Sequence, residues 1–174
     1  MSFQDKVAFV AGAGGGMGLA IANSLISAGC HVGMADVKPS PDDIIPGPGQ
    51  SLYHEGNLTD DAFVQSSITD TVNAFGKLDY LVNTTGVLWF DHDKSVVDMD
   101  MDVWDQVMAI NLKSFALTSR HAIPHMQKNG GGAMVHFSSV DATGGDAPSQ
   151  DAYGASKAGV IRLAKSLAIQ YAGD

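Results

Sequence analysis

Val7-Ala8-Phe9-Val10-Ala11-Gly12-Ala13-Gly14-Gly15-Gly16-Met17-Gly18 sets five apolar residues against a glycine cluster. Helix-forming, largely apolar residues then run from Leu19 to Ala28 and stop at Gly29. An apolar run this short reads as a strand, the glycines as a tight turn, and the following segment as a helix. A second apolar strand, His31 to Ala35, ends at Asp36. Parallel strands need a crossover, and such crossovers are right-handed, so residues 7–36 read as one βαβ unit that begins a parallel sheet.

Downstream of this unit, Pro39, Pro41, Pro46, Gly47, Pro48 and Gly49 make residues 37–50 a surface loop with at most one helical turn. A brief strand is expected at Ser51 to Glu55. Thr59-Asp60-Asp61 looks like a helix start, and Phe63, Val64, Ile68, Val72 and Phe75 follow at helical spacing before Gly76. Asp79 to Asn83 reads as a fourth strand. The acidic, methionine-containing stretch Asp91 to Asp105 leads into a long helix over 103–128, and Gly130-Gly131-Gly132 turns the chain into a fifth strand, Ala133 to Phe137. A final helix is expected over 152–172. Strands alternating with helices give an α/β fold, a Rossmann-like doubly wound parallel sheet with helices on both faces, in one domain over residues 1–174. The two long helices, 103–128 and 152–172, are apolar on more than one side. That pattern predicts one side packed on the sheet and another on a second subunit, in a homodimer or homotetramer.

The chain has 19 acidic and 10 basic residues, a formal charge of −9. This balance repels nucleic acid and anionic lipid, so neither is expected as a partner. The single cysteine, Cys30, cannot form an internal disulfide, and residues 1–6 lack the layout of a secretory signal; together they point to a reducing, cytoplasmic setting. Every apolar run is interrupted well short of the roughly 20 residues needed to span a bilayer.

The glycine cluster lies where a dinucleotide's pyrophosphate would need it, between a strand and a helix. Gly12, Gly14, Gly15, Gly16 and Gly18, with Met17 among them, would let backbone N–H groups approach a phosphate, and the helix start adds a favourable dipole. Asp36 closes the second strand at the distance where an acidic side chain can accept hydrogen bonds from the adenosine ribose. It would repel a 2′-phosphate, and no arginine lies in the glycine turn or just after Asp36, so NAD is favoured over NADP, with Lys38 as the one nearby cation. Near the other end, Tyr153 and Lys157 lie four apart at a helix start and so share a face. An ordinary phenol titrates near ~10 and is a poor acid or base at neutral pH unless its phenolate is stabilised. A lysine ammonium and an oxidised nicotinamide would supply that stabilisation.

These motifs, in this order, resemble those of the short-chain dehydrogenase/reductase family along the whole chain. Gly12, Gly16 and Gly18 resemble its T-G-x-x-x-G-x-G cofactor turn, with Ala11 in place of threonine. Asn83-Thr84-Thr85-Gly86 resembles its N-N-A-G segment, Asn111 its helix asparagine, Ser139 its serine after strand five, and Tyr153 with Lys157 its Y-x-x-x-K. Asn57-Leu58 stands where the family usually has an aspartate that contacts adenine. The resemblance implies strand order 3-2-1-4-5 and an NAD-dependent oxidoreductase of the smaller subtype acting on a secondary alcohol or its ketone. It implies cofactor contacts from Asn57, Leu58, Asn83, Thr84, Gly86, Tyr153 and Lys157 as well as from the glycine turn and Asp36. Tyr153 would be general acid or base, Lys157 would tune it and hold the nicotinamide ribose, Ser139 would orient the carbonyl, and Asn111 would relay protons. It also implies that the family's last strands and substrate loop lie beyond Asp174, leaving strand five as a sheet edge.

Two other readings stand beside this one: a non-catalytic nucleotide-binding or regulatory protein, and a sugar epimerase or dehydratase on the same scaffold. Retention of Ser139, Tyr153, Lys157 and Asn111 together favours the enzyme, because binding alone needs no tuned phenol. His121 and His125 could face one metal, but Pro124 between them and the lack of a third ligand make them surface or interface histidines. Asp91-His92-Asp93 with the acids that follow could bind a cation weakly but reads more simply as a solvated acidic loop, Trp89 and Phe90 read as a pocket wall or sheet cover, and Met99, Met101 and Met108 as packing residues.

Overall fold

A computed structural model describes residues 3–145 and 147–173, so Met1, Ser2, Asp146 and Asp174 lie outside the described residues. The elements are β1 (Val7–Ala11), α1 (Gly16–Ser27), β2 (His31–Asp36), β3 (Ser51–Glu55), α2 (Asp61–Phe75) and β4 (Tyr80–Asn83). They continue with α3 (Met101–Met108), a π-helical turn at Ala109–Lys113, α4 (Ser114–Lys128), β5 (Ala133–His136), a short 3₁₀ turn at Val140–Ala142, and α5 (Asp151–Gln170). The sheet order is β3-β2-β1-β4-β5, and every pairing is parallel.

β1 is buried at every position, as expected of a central strand covered on both faces. Val7, Phe9 and Ala11 join Val64 and Ile68 of α2 and Leu117, Ala122 and Met126 of α4 on one face of the sheet. Ala8 and Val10 alternate to the other face and pack with Ala22 and Ile26 of α1 and Val32 and Met34 of β2. Burying a side chain such as Phe9 in this layer contributes about 2–3 kcal/mol. Asp60 caps α2 by accepting from the amides of Ala62 and Phe63, and Gly76 ends that helix in the left-handed region at φ 85°.

The structure moves several expected boundaries. α1 begins at Gly16 rather than Leu19, so two glycines of the cluster are already helical. The long helix starts at Met101 and is interrupted by the π turn, which periodicity did not indicate. Pro124 lies inside α4 without ending it. Among the described residues, β5 pairs with β4 alone, and Val135 is half exposed at that edge. No helix among the described residues is long and apolar enough to cross a membrane.

Candidate active site

The C-terminal ends of β1, β2 and β4 open onto a cleft of about 670 Å³. Its walls include Gly12, Gly15, Gly16, Met17 and Gly18 from the glycine turn, Asp36 and Lys38 after β2, Asn57 and Leu58 after β3, and Thr84 to Val87 after β4. Steric demand explains the glycines. Gly12 adopts φ 84°, and a Cβ there would stand 2.7 Å from the amide nitrogen of Thr85. A Cβ on Gly18 would collide with the carbonyl oxygen of Gly12. α1 starts from Gly15 with no side-chain cap and no acid in its first turn, so its leading amides face the cleft unneutralised.

Asp36 stands at the rim with both oxygens engaged by backbone: Gly14 N donates at 2.9 Å and Lys38 N at 3.0 Å. These bonds fix the carboxylate without any cationic partner among the described residues. Thr84 Oγ1 donates to the carbonyls of Ala11 (2.9 Å) and Gly12 (3.1 Å), tying the β4 exit to the glycine turn. Thr85 Oγ1, on the same wall, is buried and has no hydrogen-bond partner among the described residues. Asn57 Oδ1 accepts from Thr59 N and Oγ1, which orders the segment that brings buried Leu58 to the cleft.

Asn83 departs from its expected place among the cofactor contacts. Its side chain is fully buried and points away from the cleft, accepting from Thr118 Oγ1 at 2.9 Å and donating to His136 Nδ1 at 3.0 Å. As the last residue of β4 it pairs in register with His136, and the alternation of strand side chains turns it toward α4. Gly14 also stays off the cleft wall, with its amide directed to Asp36.

Lys157 lies one turn into α5, 4% exposed, with Nζ donating to the carbonyl of Phe137 at 3.0 Å. Nζ stands 5.8 Å from the ring centroid of Tyr153 and 5.4 Å from that of Phe115. No carboxylate pairs with it among the described residues, and burial pulls its ammonium below the usual lysine range. A Cβ on Gly86 would meet Nζ at 3.3 Å, so the ammonium reaches the cleft wall. The Tyr153 hydroxyl makes no hydrogen bond among the described residues. Ser139 precedes the 3₁₀ turn, where its Oγ donates to Asp141 Oδ2 at 3.2 Å and accepts from Asp141 N at 3.3 Å. Its neighbour Ser138 donates to the Lys157 carbonyl at 2.8 Å, joining the β5 exit to α5.

Asn111 is fully buried in the π turn. Its Oδ1 accepts from Val87 N at 2.7 Å, and its Nδ2 donates to Val87 O at 2.9 Å and to Ser156 Oγ at 3.2 Å. The side chain thereby links the cleft wall, the widened turn and α5. A π turn at a site-lining position is a recurrent device, but nothing in local composition announces it. The acidic loop holds a second surprise: Asp93 is fully buried rather than solvated, and Met99 and Trp89 pack with Val107 and Ala152 in a small core. Phe90 is instead exposed. His121 bonds to Asp61 at 2.7 Å, and no cluster of metal-ligating side chains occurs among the described residues.

The family described as enoyl-(acyl carrier protein) reductase matches residues 12–174. Cis-4-hydroxycyclohexanecarboxylate dehydrogenase of Sinomonas cyclohexanicum is 34% identical over 99% of this chain and 70% of its own length. The chain belongs to the short-chain dehydrogenase/reductase family. D-beta-hydroxybutyrate dehydrogenase of Rhizobium meliloti, 32% identical, aligns over 97% of this short-chain dehydrogenase/reductase chain and 67% of itself. Ligand-free aldohexose dehydrogenase of Thermoplasma acidophilum superposes with a TM-score of 0.87 at 30% identity, covering 98% of this chain and 63% of that one. Across the first curated relatives, the chain spans 62% to 70% of their length.

The residues of this short-chain dehydrogenase/reductase fit a nicotinamide dinucleotide. The glycine-rich turn and uncapped helix start suit its pyrophosphate, the backbone-held carboxylate of Asp36 suits a ribose diol, and the Thr85 hydroxyl, without a partner among the described residues, supplies a further polar contact.

Proposed function

We propose that this chain carries the cofactor-binding and catalytic part of an NAD(H)-dependent oxidoreductase that interconverts a secondary alcohol and its ketone. The glycine turn and Asp36 would hold a nicotinamide dinucleotide, which when bound would supply hydride transfer to or from the carbon of the substrate. The Tyr153 phenol takes the proton from the alcohol oxygen in oxidation and returns one to the carbonyl oxygen in reduction. The Lys157 ammonium stands beside the phenol ring and would bind a polar oxygen of the cofactor at the cleft wall. The Ser139 hydroxyl, held among the described residues by long bonds to Asp141, turns to the substrate oxygen and orients it. The Asn111 side chain holds Val87 and α5 in register, and its backbone, through a bound water, would connect Lys157 to solvent.

One observation carries this reading: a buried ammonium with no carboxylate partner among the described residues stands 5.8 Å from the Tyr153 ring and also borders the cleft at Gly86. A lysine buried without a counter-ion is costly to the fold, and its position between phenol and cofactor cleft gives that cost a chemical use. The relatives named for a hydroxycyclohexanecarboxylate, a hydroxybutyrate and an aldohexose support an alcohol as substrate. Asp36 supports NAD over NADP by repelling a 2′-phosphate; Lys38, whose ammonium reaches towards Gly15, acts in the opposite sense and is more exposed. Self-association is proposed along the groove between α4 and α5 lined by Leu112, Ala116, Gly159 and Leu163.

The test is a panel of secondary alcohols and ketones with NAD(H) and NADP(H), followed by the absorbance of the reduced nicotinamide. Tyr153→Phe is expected to lower turnover by about 10²–10⁴-fold while NADH binding, measured by fluorescence, stays unchanged. Wild-type turnover in that variant removes the proton-transfer role.

A further inference from the structure

Gln150, at the N-cap position of α5, makes no capping hydrogen bond. The cap comes instead from Asp93, 59 residues before Ala152: Oδ1 accepts from Ala152 N at 3.1 Å and Oδ2 from Tyr153 N at 2.8 Å. Both oxygens are thus engaged on the first turn of the helix that carries the phenol. The carboxylate is 0% exposed and has no lysine, arginine or histidine partner among the described residues. Helix amides and the helix dipole alone offset its desolvation.

The connection extends to the cofactor cleft. Asp93 N donates to Trp89 O at 2.8 Å, and Val87, two residues earlier, lines the cleft and is gripped by Asn111. The clamp is also closed from the helix side, where Asp151 Oδ2 accepts from Val96 N at 2.9 Å and Asp151 N donates to Lys94 O at 3.4 Å. Trp89, Met99 and Trp104 pack around Ala152 beneath it. The segment from Val87 to Met99 therefore joins the cleft wall to the N-terminus of α5.

We propose that Asp93 is a positioning residue that sets where Tyr153 stands relative to the cleft, an inference that rests on the proton-transfer reading of Tyr153. Its effect is local. Tyr153 lies in the first turn, which frays without a cap, whereas Lys157 lies a turn further in and is tied to Phe137 O and, through its own carbonyl, to Ser138. Removing Asp93 thus moves the phenol and leaves the lysine and the cofactor cleft in place.

The experiment compares Asp93→Asn and Asp93→Ala in the complete polypeptide, measuring NADH affinity, turnover per NADH-binding site and amide hydrogen exchange across 150–158. Asp93→Asn keeps one acceptor and is expected to lose about 10-fold in kcat, and Asp93→Ala about 10²-fold, because displacements near 1 Å at a reacting group cost that much. NADH affinity stays within about twofold, since no ligand contact is removed, and exchange accelerates at the amides of Ala152 and Tyr153 but not at Lys157. A purely structural role would lower the number of NADH-binding sites with unchanged kcat per site, and that result overturns the proposal. So does unchanged protection of the two amides in Asp93→Asn, which can be read even if Asp93→Ala does not fold. If the unaltered protein turns over no substrate, the enzymatic reading falls and the catalytic role of Asp93 with it, while the exchange data still report whether the clamp exists.

Discussion

The two ends of the parallel sheet treat buried charge in opposite ways. At the N-terminal end, Asp79, 5% exposed, accepts from Lys6 Nζ at 2.9 Å and Val7 N at 2.9 Å, pairs with Lys77 at 3.2 Å and takes a longer bond from Asn129 at 3.4 Å. At the C-terminal end, Lys157 is just as buried, and among the described residues its ammonium meets a carbonyl and two aromatic rings but no carboxylate, while the Thr85 hydroxyl beside the cleft has no partner there. A fully satisfied charge stabilises the joint between β1, β4 and the end of α4. An unsatisfied one leaves binding energy for a ligand, which is why sites of chemistry collect at the carboxyl ends of such strands.

Breaking the satisfied end has the largest expected effect on the fold. Asp79→Ala leaves Val7 N without its acceptor and two lysines without a counter-ion, and is expected to cost about 3 kcal/mol in a denaturant titration. The two lysines are partly exposed, so the buried amide accounts for more of that loss than the ion pairs do. Activity per NADH-binding site is expected to stay the same. The opposite experiment, Lys157→Met, is expected to lower turnover by about 10²-fold while the melting temperature holds or rises, because a costly buried ammonium is replaced by an apolar chain of similar length. A fall in stability as large as that of Asp79→Ala would erase the contrast between the two ends.

The smallest expected effect concerns acid. Burial pushes the Asp79 carboxyl upward, but the bonds from Lys6, Val7 N and Lys77 outweigh it and hold the group below the usual carboxylate value of 3.8. Its folded-state pKa is therefore depressed, so its contribution is full above the unfolded value and is lost as pH falls through the folded one. The stability gap between wild type and Asp79→Asn, followed by circular dichroism, should be constant at neutral pH and close below about pH 4. A gap that persists at lower pH would attribute the effect to packing instead of charge.

Much of this architecture could be read along the chain because its causes are local. The apolar run of β1, the glycines after it, the βαβ unit ending at Asp36, and the one-turn spacing of Tyr153 and Lys157 each depend on neighbours within a few residues. Where local reading failed, a distant partner was responsible. Asn83 looked like a cleft residue, yet Thr118, 35 positions on, and His136, 53 positions on, draw it into the core. Asp93 looked solvated among acids, yet its partners are the amides of Ala152 and Tyr153. The widening of the helix around Asn111 accompanies its two-way bond to the backbone of Val87, a contact invisible to periodicity.

Pattern along the chain was enough for the order of strands and helices, the glycine turn and the pairing of phenol with ammonium, because hydrophobic period and backbone freedom are properties of short segments. Which polar side chain faces the cleft, which is buried in a core and which caps a helix from far away was settled only on folding. A buried hydrogen bond is chosen by whichever donor or acceptor the packed elements bring within about 3 Å, and that choice has no short-range signature.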